Sequence, residues 1–518
     1  MTEQKTAKVF VRESTGLVKN VSLLDAISLN ISSMSAGAAL ATISFTMLLI
    51  PSVLTSYGGI NLVYGSLIAF TITIPQMIVY TIMTRRLPRT GGDYVWTSRA
   101  FGGFIGSTVS FMGYTAETMA FMALIAFSTV LAIGAVLVQM GMSQYLGLAI
   151  PINFGGNGTW QFLLGAGIYA LLILLNIFKP KYGFKLVSGA MIIGILSLLV
   201  GNLVLLSAGN GGVIKYIDGL GISGTTYSSV ASSYAGSTFN FGNTIFLMPF
   251  FAMFVYPWFV AAPAVASEIK GKRSTNWNVP IAALVSLIIV TGSFATLYYV
   301  AGYSFTNGAF LNNSLVNDHS FNFWTLAMGV SPNSIVAAFI GFGWVIWNIG
   351  ILAYGIIGIS RYIFAQAFDR FLPEKMSYVS PRFRSPVIAH LIDLVVTVAI
   401  LGIAVGFYGY VNSLYGAIMA SMIYFIFVGG AAATYAFRHE KGGIKTLLMV
   451  SGILSAAVFT FLTYQFLAYP GVWGGNGFAY GYILLSAILG AIIYLASKNY
   501  HKRKGIDISL AYKEIPPE

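Results

Sequence analysis

Asn30-Ile-Ser-Ser-Met-Ser-Ala-Gly37 puts small and polar residues in the middle of a stretch that is otherwise apolar. Phe254-Val-Tyr-Pro257-Trp258 interrupts a second apolar stretch at similar depth. Pro257 lacks an N–H and its ring clashes with a preceding carbonyl, so a helix there kinks or opens. Either feature alone is equally a packing interface or a plain kink. As a pair they suggest a site. Backbone N–H groups freed inside a membrane can hold a carboxylate, and freed carbonyls can hold a cation or an ammonium group. An α-amino acid needs both. A third feature is Glu117, in Gly113-Tyr-Thr-Ala-Glu117-Thr, well inside another apolar run. An isolated carboxylate at that depth costs several kcal/mol, so it must pair or stay protonated. That makes it a candidate proton carrier or ammonium contact, or a protonated carboxyl bonded to a neighbouring hydroxyl.

These residues sit in a chain that is 57% apolar and 8% charged, with a mean hydropathy of +0.79. A soluble domain carries roughly 25% charged residues, so the composition is that of a membrane protein. Apolar runs long enough to cross about 30 Å as helix lie near 22–50, 60–83, 103–138, 161–178, 186–208, 243–267, 279–303, 334–368, 386–407, 412–436, 446–468 and 478–497. They are continuous rather than alternating, which excludes a β-barrel pattern. The expected architecture is all-α and polytopic, with 12 transmembrane helices. With the N-terminus cytoplasmic, of 28 Lys and Arg only Lys215 falls in an outside loop, which is the positive-inside rule. The net charge of +13 therefore faces lipid headgroups, and nucleic acid is not expected as a partner. Absence of Cys excludes disulfides and thiolate metal sites, and no cofactor is expected. The sequons at Asn157 and Asn312 both fall in outside loops.

The breaks in spans one and six are five spans apart. An odd number of spans per unit makes a second copy enter from the opposite face, and matched breaks in two inverted halves mark a midplane site. The expected units are a cytoplasmic tail over 1–21, a five-helix repeat over 22–208, an extracellular loop over 209–242, a second repeat over 243–437, two more helices over 438–497, and a cytoplasmic tail over 498–518. A second long outside loop covers 304–333.

Pro88-Arg-Thr-Gly91-Gly92-Asp-Tyr94-Val-Trp96-Thr-Ser-Arg99-Ala100-Phe-Gly102 resembles a signature of the amino acid–polyamine–organocation transporter family. Ser267-Glu268-Ile269-Lys270, Ser360-Arg361-Tyr-Ile-Phe-Ala365-Gln-Ala367-Phe-Asp369-Arg-Phe-Leu-Pro373 and Arg384-Ser-Pro386 are similar to later motifs of that family, in its order and spacing. The resemblance covers roughly 20–440. It implies an amino acid permease of the plasma membrane with a five-plus-five inverted repeat (a leucine-transporter-like fold), discontinuous helices 1 and 6, and alternating access. It carries the family's carboxylate contact onto Ser33, Met34, Ser35, Ala36 and Gly37, and its sixth-span lining onto Phe254, Tyr256, Pro257 and Trp258. Trp258 stands where the family usually has Gly, and Val260 where exchangers of cationic substrates often have an acidic residue. Both departures argue for a neutral or apolar side chain, and the space taken by Trp258 for a smaller one. Gly91, Gly92, Tyr94, Glu268, Arg361 and Asp369 lie at the cytoplasmic face, with a structural or gating role. Arg361 and Asp369 are expected to pair, snorkel or cap near the inner gate, and Glu268 to cap a helix end close to Lys270 and Arg273.

The resemblance leaves the coupling ion open. The fifth span has no Lys of the kind some proton-coupled relatives use, and Tyr354 and Gly355 stand where sodium-coupled proteins supply hydroxyls. Glu117 favours protons, with Na⁺ or exchange as alternatives. His390 and Asp393, in the ninth span, read as structural. Oligomeric state is not legible. A transporter of amines or polyamines and a non-transporting sensor of the same fold are the alternatives. A channel would want a polar pore ring, and an enzyme a metal cluster or a nucleophile–base set. The four dispersed His provide neither.

Overall fold

A computed structural model of the chain describes residues 17, 19–54, 56–149, 157–234, 236–406 and 410–515. Most of the expected N-terminal tail and the last residues of the C-terminal tail lie outside them. Among the described residues, β structure is confined to the isolated bridges Val21–Ile269 and Thr90–Val265. Eleven helices there are long and apolar enough to cross a membrane. The sixth apolar stretch is present as short pieces.

Leu23–Ser33 is α1, opened by a capping box in which Ser22 and Asp25 each accept the other's backbone N–H. Asp25 also accepts from Ser188, at 2.7 Å. Met34 and Ser35 break the helix, and Ala36–Leu49 (α2) continues the same span. Leu62–Arg86 is α3, with Asn61 as its cap. Asp93–Ser110 is α4, interrupted at Gly102 (φ 81°), where the chain turns from the loop into the third span. A single π-helical turn, Phe111–Ala116, joins α4 to α5 (Glu117–Gln139). Next come α6, Asn157–Phe178, and α7, Pro180–Gly219, the latter broken at Gly209.

The sixth span is divided into Phe241–Phe246 (α8), Met248–Phe254 (α9) and Ala261–Ala264 (α10). After it run α11 (Gly271–Ala301), α12 (Ser334–Phe368), α13 (Val387–Gly406), α14 (Met419–His439), α15 (Gly442–Ala468) and α16 (Gly477–Arg503). Residues 410–417 form a turn of helix leading into α14.

The two polar loops contain short helices. The first contains the end of α7 and Tyr227–Ser233, the second Tyr303–Phe310 and Phe323–Gly329. Thr226 and Asn322 supply capping boxes for two of these short helices. Asn312 accepts from the Leu315 amide at 3.0 Å.

Helices approach closely where glycine removes the side chain, which suits packing without a hydrophobic driving force. On α14 and α15, Gly429 and Gly452 face each other, and a Cβ on either would meet the other's carbonyl oxygen at 2.5 Å. Leu171, Val395 and Ile335 project from the outside of the bundle as exposed apolar side chains, as contact with lipid tails requires. The basic loops collect at the end of the bundle where Val21 pairs with Ile269 and Thr90 with Val265.

Candidate functional site

The two broken spans meet. Ser35 takes a left-handed conformation (φ 51°), and its hydroxyl donates back to the Ser33 carbonyl at 3.3 Å. It therefore does not cap α2. The first amides of α2, on Ala36, Gly37 and Ala38, have no acceptor within their own helix. In the other span the backbone leaves the helix at Val255 (φ −120°, ψ −75°). Trp258 turns back across this break, and its indole N–H donates to the Met253 carbonyl at 2.5 Å. Asn30 ties the breaks together. Its Oδ1 accepts from the Ala262 amide at 3.0 Å, and its Nδ2 donates to Asn278 Oδ1, also at 3.0 Å. Asn30 thus links the first broken span to the piece of the sixth that follows its break.

A cavity of about 150 Å³ lies beside α2, α5, α9, α12 and residues 410–417, on the side of the breaks away from Val21. Ser35 and Phe254 line it. Ser33, Met34, Ala36 and Gly37 are buried behind its wall. A Cβ on Gly37 would meet the Trp347 ring at 2.3 Å, and the Gly37 carbonyl accepts from Trp324 Nε1 at 2.9 Å. Tyr256 points elsewhere: its hydroxyl bonds Ser66 at 2.5 Å, and Ser66 bonds Thr291 at 2.8 Å. Trp258 is buried and stacks on Phe121, ring centroids 5.9 Å apart. Phe121 forms part of the cavity lining. Trp258 therefore supports the cavity wall and is not itself among the lining residues.

Sequence reasoning missed Asn348, which lines the cavity from α12. The signal was available: it is an amide in the middle of an apolar span, and polar groups at that depth are expensive.

Glu117 directly follows the π-helical turn. Its Oε2 accepts from Thr118 at 3.3 Å, while Oε1 is buried with no partner. It stands one helical turn from Phe121 but not on the cavity lining itself. Asp393 accepts from Tyr169 (2.8 Å) and Thr397 (3.0 Å), and His390 is buried beside it on α13 with neither ring nitrogen bonded.

On the Val21 side the bundle is sealed. Gly91 donates its amide to the Ala264 carbonyl at 2.9 Å, in a positive-φ turn that leaves its α-carbon against Ala365. A Cβ on Gly92 would meet the Pro263 backbone at 2.9 Å. These two glycines serve close backbone approach.

The expected pairing of Arg361 with Asp369 is corrected here. Arg361 makes a two-pronged bond to Glu268, at 2.9 and 3.1 Å, with both side chains buried. Glu268 thus bridges to α12 instead of capping its own helix near Lys270 and Arg273. Asp369 takes Arg99 and the Tyr94 hydroxyl, the latter at 2.9 Å. The reason is geometric: Arg361 and Asp369 are eight residues apart on one helix, whereas Glu268 and Arg99 come from neighbouring elements. Asp93, within the quoted motif but not singled out, accepts from the hydroxyls of Tyr80, Tyr362 and Tyr424. One buried carboxylate thereby joins α3, α12 and α14.

Comparison with known proteins matches residues 21–493 to the model of a family described as amino acid permease. Uncharacterized protein 399 of Sulfolobus islandicus rod-shaped virus 1 is 22% identical over 496 residues, covering 94% of this chain and 97% of that protein. The serine/threonine exchanger SteT of Bacillus subtilis (strain 168) is 24% identical over 386 residues, covering 73% of this chain and 75% of the exchanger.

Proposed function

The chain belongs to the amino acid permease family, and from that premise we propose that it is a secondary transporter carrying neutral amino acids across the plasma membrane by alternating access. The observation that carries this is the meeting of the two helix breaks. Asn30 holds α1 against α10, while Ser35 and Ala38, at the start of α2, line a cavity. The substrate carboxylate is held by the backbone from Ser33 to Gly37, with Phe254 on the facing wall and Trp258 supporting that wall from behind through Phe121. Twelve spans in a five-plus-five inverted repeat would put this site near midplane.

The distribution of basic loops supports a cytoplasmic sealed end with both termini beside it, which would put the cavity on the extracellular side. Inward release requires opening the contacts made by Gly91, Gly92, Tyr94, Glu268, Arg361 and Asp369. The lining has no charged side chain among the described residues, which supports a neutral substrate. Exchange is one mode of operation, as the name of the Bacillus relative suggests. Proton coupling through Glu117 is the other.

Uptake into proteoliposomes, tested against twenty amino acids and common amines, checks the proposal. Saturable uptake of neutral amino acids is expected. Uptake of decarboxylated amines in preference would replace it with amine transport. No uptake by folded, inserted protein would leave a sensor.

A further inference from the structure

We infer that the cavity selects amino acids with large apolar side chains, and that Asn348 receives the substrate's amino group. The inference rests on the transport reading above and names the substrate class of that site. It starts from an unpaired atom. Asn348 is 2% exposed and lines the cavity. Its Nδ2 donates to the Ser128 carbonyl at 3.5 Å. A backbone carbonyl only accepts, which fixes the orientation of the amide. Oδ1 is then left buried with no hydrogen bond. A buried polar atom without a partner is disfavoured, and a turn of the amide that brings Oδ1 to the cavity surface would let an ammonium group satisfy it.

The rest of the lining determines the side chain. Phe45, Phe121, Phe127, Phe254, Trp344 and Tyr415 all face the cavity. Their rings offer apolar surface and no fixed charge. An acidic side chain would find no cation among the described lining residues, and a basic one no carboxylate. The volume is about 150 Å³, and a cavity of about that size lined by Leu, Ile and Phe is known to accept benzene. A whole amino acid with a branched aliphatic or benzyl side chain would cover the aromatic lining, whereas serine or threonine would leave part of it uncovered. Trp258 does not reduce the space, since its indole N–H is bound to Met253 and its ring lies against Phe121. The smaller side chain that Trp258 suggested from sequence is thereby replaced. The floor, at Ser35 and Phe121, is buried, while Thr42 and Phe45 are half-buried and Asn412 is exposed at the rim. A substrate entering from the rim would present its polar end to Ser35 and Asn348.

The test is ligand binding by the purified, lipid-reconstituted protein, with labelled leucine displaced by unlabelled competitors. Phenylalanine, leucine and isoleucine should displace it at concentrations at least about tenfold lower than serine or threonine. 3-Phenylpropanoate, which lacks the amino group, should bind more weakly than phenylalanine by about tenfold to a hundredfold, the worth of a hydrogen bond to a charged group. In Asn348→Leu that ratio should fall towards one. Asn348→Asp keeps an acceptor oxygen at the same place and should preserve it, which also guards against a Leu variant that misfolds. Serine or threonine competing as well as phenylalanine would overturn the side-chain assignment while leaving amino acid transport intact. A ratio unchanged in Asn348→Leu, or lost equally in Asn348→Asp, would overturn the role of Asn348. Failure of every amino acid to bind would remove the transport reading together with this one.

Discussion

Glu117 is the residue through which proton coupling is proposed. One of its oxygens is buried without a partner, and the π-helical turn before it shifts the helix register where it enters the core. Such turns cluster at functional positions. A carboxyl that binds a proton in one arrangement of the gates and releases it in the other would drive accumulation. Glu117→Gln copies the protonated form in size and hydrogen bonding. The variant should keep substrate binding and exchange but lose accumulation driven by a pH gradient, measured as labelled uptake into liposomes with an imposed gradient. Unchanged accumulation would make Glu117 structural. At this scale the sequence showed where polar atoms stand at membrane depth, as with Glu117 and the Asn30–Gly37 run. It did not show which atoms meet. Asp93 was hidden because a carboxylate shared by three phenols requires residues up to 331 positions away. Arg361 was matched to the wrong acid because a motif gives order along the chain and not the facing helix.

Among elements, the breaks were the most legible feature, since Pro257 and a run of Ser and Gly weaken a helix by local chemistry alone. The short helices of the polar loops were not. Their caps are local, but without a long apolar period they read as loop. Opening and closing belong to this scale. The Glu268–Arg361 pair joins the end of the sixth span to α12 on the sealed side. Removing one member of a buried pair costs about 3–5 kcal/mol, because the other charge is left unpaired, whereas replacing both is often neutral. Arg361→Met should therefore destabilise the arrangement sealed on that side and depopulate the cavity, which the proposed topology puts outside. The natural chain has no Cys, so Thr42→Cys on the cavity rim would be the sole thiol. Its labelling by an impermeant maleimide from outside should slow severalfold on adding Arg361→Met. It should recover when Glu268→Met is added as well. Equal rates in all three proteins would mean that this pair does not hold the gate.

For the whole molecule, charge segregation supports the expected topology and the apolar runs located the long helices, because both depend on the bilayer as solvent more than on tertiary detail. Eleven of the expected spans appear among the described residues as long apolar helices, and the sixth as pieces around its break. The cavity was not legible, since it is made by five elements distant in sequence. The central claim is that an amino acid passes through the site where the two breaks meet. Counterflow tests it most directly: proteoliposomes loaded with unlabelled substrate are diluted into trace labelled substrate, with no ion gradient imposed. Transient accumulation of a labelled neutral amino acid above its external concentration is predicted. It should be absent in Gly37→Val, where the added side chain collides with Trp347 and covers the backbone that holds the carboxylate. The same overshoot in Gly37→Val, in protein shown to carry the substitution and remain folded, would contradict the account, as would no overshoot for any amino acid in the folded natural chain.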